Sequence, residues 1–246
     1  MAEKKIVTDT TTSTDLDQTT TTHHRSEGFW ETYSKAIIVG GLVVIGLIAG
    51  WYAYQEFVKK PNEQKGNEMI FAAESLFDKM ASVTGFNKDS SIFVLNGNSQ
   101  AGITGVLKVI KEYGNTEAGN RARYIAGATY LHLKEFPKAV EHLKDFDADG
   151  AHQVESKAYL MLGHAYSEQN KTGEALTNYK KAADVNKKDD LTTADALLIA
   201  ASYADAISKK EDAVDLYTRL KNDHPTSAAV KSGDVDKYLA RLGIFK

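Results

Sequence analysis

Tyr159–Ala182 reads YLMLGHAYSEQNKTGEALTNYKKA. Two helical patterns lie back to back here across a short polar turn. The first carries Leu162, Gly163 and Tyr166. The second carries Ala175, Tyr179 and Ala182, spaced four and three apart, which puts all three on one helical face. Small residues let two helix backbones approach, and the Tyr rings fill the space around them. The pattern repeats. Thirty-six residues upstream, Gly163, Tyr166, Ala175 and Tyr179 become Gly127, Tyr130, Ala139 and Leu143. Thirty-eight residues downstream, Ala175 and Tyr179 become Ala213 and Tyr217, with Pro225 closing the copy. In that third copy the Gly slot holds Ala201, and Tyr203 stands one place off the aromatic slot.

This pattern resembles the tetratricopeptide repeat, a helix–turn–helix unit with large–x–Leu–Gly–x–x–Tyr in its first helix and Ala–x–x–x–Phe in its second, at a period of about 34 residues. The resemblance implies an all-α chain: a superhelix of about three to four helix pairs with a capping helix. Copies are expected over roughly 116–225, and a final helix from Thr226 to Leu242 within a capping segment, 226–246. Tyr238, Leu239 and Leu242 would pack back, while Lys231, Asp234, Asp236, Lys237 and Arg241 supply a polar outer face.

Ala36–Tyr54, AIIVGGLVVIGLIAGWYAY, contains no charge over 19 residues and is long enough to cross the hydrocarbon core. Trp30 and Tyr33 flank one end and Trp51, Tyr52 and Tyr54 the other, as in an aromatic belt. A single transmembrane helix is expected over 30–58. The polar stretch ahead of it is too long for the n-region of a cleaved leader, so the span reads as an uncleaved anchor. Gly46 and Gly50, with Ala53 near the same face, form a small-residue surface against which a second membrane helix can pack. Basic residues balance on the two sides, so charge does not set the orientation.

Residues 1–29 form a Thr-rich tail with too little apolar area to offset the entropy of ordering, and disorder is expected there. Segment 63–115 reads as a degenerate first helix pair: an amphipathic helix to about Ser82, a long loop Val83–Gln100 holding the apolar run Ile92–Leu95, then a helix over Gly102–Tyr113. Asn115 and Thr116 are placed to cap the next helix. The apolar run suits either an interaction strand or a strap over the core.

Net charge is −3, which leaves no basic surplus to neutralise nucleic-acid phosphates. There is no Cys, so disulfide and thiolate chemistry are excluded. No Gly-rich phosphate loop, Ser nucleophile elbow or His-Glu-x-x-His motif occurs. The histidines fall on different copies without ligand spacing, so neither a metal nor a cofactor nor catalysis is expected.

The repeat resemblance also implies a concave wall lined by the first helix of each pair. Carried onto this chain, its slots are Arg121, Tyr124, Ala128, Leu131 and His132; then Lys157, Leu160, His164, Ser167 and Glu168; then Asp195, Leu198, Ser202, Asp205 and Ala206. The mixture of apolar and charged groups suits a peptide or partner helix.

A short tail, one span near residue 40 and C-terminal repeats together resemble the YfgM family. The stretch IFVLNGNSQAGITGVLKVIKEYGNTEAGNRARYIAGATYL is similar to membrane-anchored repeat proteins of Bacteroidetes. The resemblance implies an ancillary subunit of the bacterial Sec translocon and partnership with a PpiD-like chaperone. It also implies contact with client polypeptides and membrane lipid, in the inner membrane with the N-terminus cytoplasmic and the repeats periplasmic. Two other readings fit the same residues: a cytosol-facing receptor for chaperone peptide tails, and a scaffold of another envelope machine for secretion or motility.

Overall fold

The computed structural model describes residues 24–187 and 189–245. The Thr-rich stretch expected to be disordered lies outside the described residues as far as His23, as does the side chain of Trp30. Backbone contacts divide the chain into two units, Met1–Phe57 and Val58–Lys246.

The first unit holds α1, His24–Tyr54. Its best 18-residue window has a mean hydropathy of 2.2 and none of it is buried, so α1 is long and apolar enough to cross a membrane. The apolar side chains point outward all round: Leu47 is 69% exposed, Trp51 63% and Tyr52 64%. A helix apolar on every face finds no stable solution in water unless something covers it. A π-helical turn, Gln55–Lys59, follows.

The second unit opens with α2, Lys60–Lys79, which buries Gly66, Ile70 and Ala73, and continues as a π-helical turn, Met80–Thr84. Helix α2 packs against α4, Val106–Tyr113, among its neighbours. The segment Val83–Gln100, expected as a loop, contains a helix instead: α3, Lys88–Asn96. The Asn87 side chain caps it by accepting the Ser90 N–H at 2.9 Å. Ser91, Val94 and Leu95 are buried at i, i+3 and i+4, so the apolar run is one face of a short core helix and neither strand nor strap. A two-residue antiparallel ribbon then joins β1, Gly97–Asn98, to β2, Ile103–Thr104, with Gly97 opposite Thr104. The ribbon takes up the beginning of the helix expected over Gly102–Tyr113, so α4 starts only at Val106 and buries Val106 and Val109.

Three helix pairs follow: α5 and α6 (Glu117–His132, Phe136–Lys144), α7 and α8 (His152–Glu168, Thr172–Asp184), and α9 and α10 (Asp190–Ala206, Lys210–Asp223). Thr116 caps α5 through the Gly119 N–H at 3.1 Å, and Asp189 caps α9 through the N–H groups of Leu191 and Thr192. The turn inside each pair is the same turn. Lys134, Asn170 and Ser208 all sit in the left-handed region, at φ 62°, 58° and 60°. The next N–H, from Glu135, Lys171 and Lys209, donates back to the carbonyl of Tyr130, Tyr166 and Ala204 at 2.9, 2.9 and 2.8 Å. The copies are therefore in register atom by atom, with Ala204 in the third aromatic slot. Tyr203, one place off, packs its ring edge-on to Tyr179 of the preceding copy, with ring centres 4.9 Å apart.

The small slot does the packing work anticipated for it. A Cβ built at Gly127 would meet Leu143 Cγ at 2.5 Å, and one built at Gly163 would meet the Tyr179 ring at 2.4 Å. The final helix expected from Thr226 to Leu242 is broken in two: α11, Ala228–Lys231, and α12, Asp234–Arg241, separated by Gly233 at φ +75°. The break turns Val235 and Leu239 of α12 into the core and lets Tyr238 stack on Tyr217, ring centres 5.1 Å apart.

Gly163→Ala should destabilise the repeat unit by about 1–3 kcal/mol, because the new methyl group must displace the Tyr179 ring. For a unit of this size the melting temperature falls by about 2–4 °C per kcal/mol. Gly173→Ala, where a Cβ meets nothing within 4 Å, is the control. It should leave the thermal melt unchanged or raise it slightly, as followed by circular dichroism.

Candidate interaction site

The structure distributes the concave-slot residues over distinct environments. Arg121 and Tyr124, on successive turns of α5, line a cleft of about 460 Å³ between α2, α5, the turn after α6 and the start of α7. Arg121 spans from α5 to α2: its Nε donates to Glu74 at 3.0 Å and an Nη to Asn67 at 3.0 Å. Tyr124 packs against Phe146, ring centres 5.2 Å apart, and burial pushes its phenol pKa up. Asn120 fixes the far wall. Its side chain donates to the Asp147 carbonyl at 2.5 Å and accepts the Asp147 N–H at 2.9 Å.

The other slots lie outside that cleft. Leu131 packs on the core beneath α5, and Ala128, expected on the free wall, is buried at 5% exposure and has no face left to bind with. The His132 ring stacks on Phe86 with centres 3.6 Å apart. Lys157 and Asp195 are exposed, while Leu160 and Leu198 are half-buried against the core. His164 Nδ1 lies 2.9 Å from the Tyr179 hydroxyl, and Ser202 makes the equivalent contact with Tyr217 at 3.2 Å. These two slots thus close a hydrogen bond to the large side chain that fills the small slot of their own pair. Glu168 is exposed beside His164, and its charge raises that imidazole's pKa against the larger effect of burial. Asp205 is bound by Arg241 of α12. Gly46 and Gly50 have nothing within 4 Å and Ala53 is exposed, so the small-residue face of α1 is open.

Several cleft residues carried no motif: Glu74, Phe77 and Asp78 on α2, and Phe146, Asp147 and Asp149 in the turn. Repeat spacing does not reach them, because α2 is degenerate and the turn lies between copies. The Asp- and Gly-bearing text of the turn, DFDADG, was the available signal.

Partial desolvation by neighbouring groups lowers the pKa of His132, His142 and His164 below the ordinary imidazole value, although His132 and His164 stay exposed at the surface. Among the described residues no group of three His, Cys, Asp or Glu side chains is placed to hold a metal ion.

Stacked helix pairs with close small-residue contacts, a first-helix wall and a partly apolar cleft define a helical-repeat scaffold for binding other proteins. The family model described as tetratricopeptide repeat-like domain matches residues 27–188, most of the chain, and a tetratricopeptide repeat model matches 195–227. The chain belongs to the tetratricopeptide repeat-like domain family. Such repeats are typically non-catalytic. Comparison with curated proteins and with solved structures returns no match.

The lowered imidazoles set a pH dependence. A His whose pKa is depressed by folding leaves stability intact above the unfolded value, about 6.5, and removes it as pH falls below that value, because the unfolded chain then binds the proton more readily. The melting temperature should therefore drop between about pH 7.5 and 5.5, and less steeply in His164→Asn. A drop of the same size in the variant would exclude His164 as a contributor.

Proposed function

We propose that the chain is a non-catalytic, single-pass adaptor of the bacterial inner membrane: an ancillary subunit of the Sec translocon that pairs with a PpiD-like chaperone and assists exported polypeptides. One observation carries the membrane part. The apolar faces of α1 are uncovered all round, directly ahead of a protein-binding repeat unit. Lipid covers such a helix without a protein partner, and the open Gly46–Gly50 face then remains for a neighbouring membrane helix. The Sec and PpiD-like partners, the cytoplasmic N-terminus and the periplasmic repeats rest on the resemblance to the YfgM family. In this reading the partner-binding wall runs along Arg121, Tyr124, Leu131, His132, Lys157, Leu160, His164, Glu168, Asp195, Leu198 and Ser202.

A cytosolic receptor for chaperone tails would clamp a peptide carboxylate with several cations. Arg121 is already bound to Glu74, and Asp195 and Glu168 oppose Lys157, so the wall favours the adaptor reading over that one. An envelope scaffold for secretion or motility shares the same architecture and differs in its partners.

The test is affinity purification of the intact chain in mild detergent, with bound proteins identified by mass spectrometry. The Sec channel and a PpiD-like protein should co-purify. Gly46→Leu with Gly50→Leu should reduce their recovery about tenfold, from lost helix–helix packing, while the thermal melt of the repeat unit stays unchanged. Recovery of soluble chaperones alone, or undiminished recovery with the double variant, contradicts the proposal.

A further inference from the structure

The cleft beside α5 has a chemistry that membership of a repeat family leaves open. Its floor is apolar and aromatic, built from Phe77, Tyr124 and Phe146 over buried Ile125. Its rim is acidic: Glu74, Asp78, Glu117, Asp147 and Asp149 face it, and Arg121 is the one cation in its lining. That cation is taken by Glu74 at 3.0 Å. Among the described residues, the other four carboxylates have no Lys or Arg partner. The acidity is local. Across the same turn, a hollow of about 380 Å³ is lined by Lys144 and Lys181 together with Glu155 and Asp147.

Both walls are held before any partner arrives, one by the Arg121–Glu74 pair and the other by the reciprocal Asn120–Asp147 hydrogen bonds. A preformed cleft requires little ordering on binding. Its volume of about 460 Å³ admits large side chains. Carboxylates without a cationic partner around an aromatic floor attract cations through charge, with Asp147 Oδ1 accepting the Asp149 N–H at 3.0 Å, and the ring faces reinforce that attraction.

We propose that this cleft docks a segment of a partner protein in which an aromatic or large aliphatic side chain is flanked by lysines or arginines. The inference rests on the adaptor reading only in taking the chain as a protein-binding scaffold; it holds whichever membrane complex contains it.

The test uses the full chain in micelles of an uncharged detergent and two labelled synthetic peptides, read by fluorescence anisotropy. One peptide carries a central Trp between lysines, and the other has glutamates in place of the lysines. The Lys peptide should bind, and binding should weaken as salt is raised. The triple variant Asp78→Asn, Asp147→Asn, Asp149→Asn should weaken it about tenfold, as the loss of several exposed charge contacts predicts, with the melting temperature unchanged. Tyr124→Ala should weaken binding of both the salt-sensitive and the salt-resistant part. Equal binding of the two peptides, no binding of the Lys peptide, or undiminished binding by the triple variant overturns the proposal. If the triple variant instead abolishes self-association in the absence of peptide, the occupant is a second copy and the proposal is equally overturned. Failure to recover Sec partners from cells would leave this result standing, so the two readings fail separately.

Discussion

A side chain that is not there sets the spacing of the first two repeat pairs. At Gly163 the absence of Cβ admits the Tyr179 ring, and at Gly127 it admits Leu143. Everything else in the second pair builds on that approach. The Tyr179 ring is 2% exposed, a burial worth roughly 1.5–3 kcal/mol for a side chain of this kind. Its hydroxyl reaches His164, and its ring receives the edge of Tyr203 from the next pair. One contact therefore closes a pair and also joins it to its neighbour. The third pair uses Ala201 with Tyr217 and passes the contact on to Tyr238 of the capping helix. Between pairs, Arg219 of α10 reaches Asp184 of α8 at 2.9 Å. That surface ion pair adds little beside the buried rings.

The same packing explains why first-helix side chains divide into two groups. Those over the small slot, His164 and Ser202, complete the pair by bonding the inserted ring. Those at the edges of α5 face outward, and there α2 and the turn after α6 build a cleft around Arg121 and Tyr124. Binding capacity thus arises where a regular repeat meets an irregular neighbour. The regular interior has no room for it: Ala128 is in the right slot for the wall, yet it is buried.

The repeats were legible because their determinants are local. A Gly, an aromatic three residues on and an Ala in the second helix fix one helix–helix distance, and the distance recurs with the text. Helix α1 was legible for the same reason, being apolar over an uninterrupted run. The segment between α2 and α4 was not. Its Asn, Ser and Gly content suggested a loop, while the signal for α3 was the quieter combination of Asn87 as cap and Ser91, Val94 and Leu95 on one face. The break in the C-terminal helix turned on Gly233, whose positive φ precedes α12 and its buried Val235 and Leu239, and α12 packs against α10, a contact distant in sequence. The cleft was half legible. Arg121 and Tyr124 follow from repeat position, whereas Glu74, Phe77 and Phe146 are brought there by tertiary packing alone.

The central claim, an adaptor anchored by α1 with its repeats beyond the cytoplasmic side of the membrane, is tested most directly by the accessibility of introduced thiols. The chain contains no Cys, so a single introduced one is unambiguous. Gly173→Cys lies on an exposed, uncrowded turn of the repeat unit, and Thr10→Cys lies in the tail. In intact spheroplasts, a membrane-impermeant maleimide should label Gly173→Cys and leave Thr10→Cys unlabelled until the membrane is lysed. Labelling of Thr10→Cys with protection of Gly173→Cys would reverse the orientation, and loss of the chain into an alkaline wash would remove the anchor; either would contradict the account.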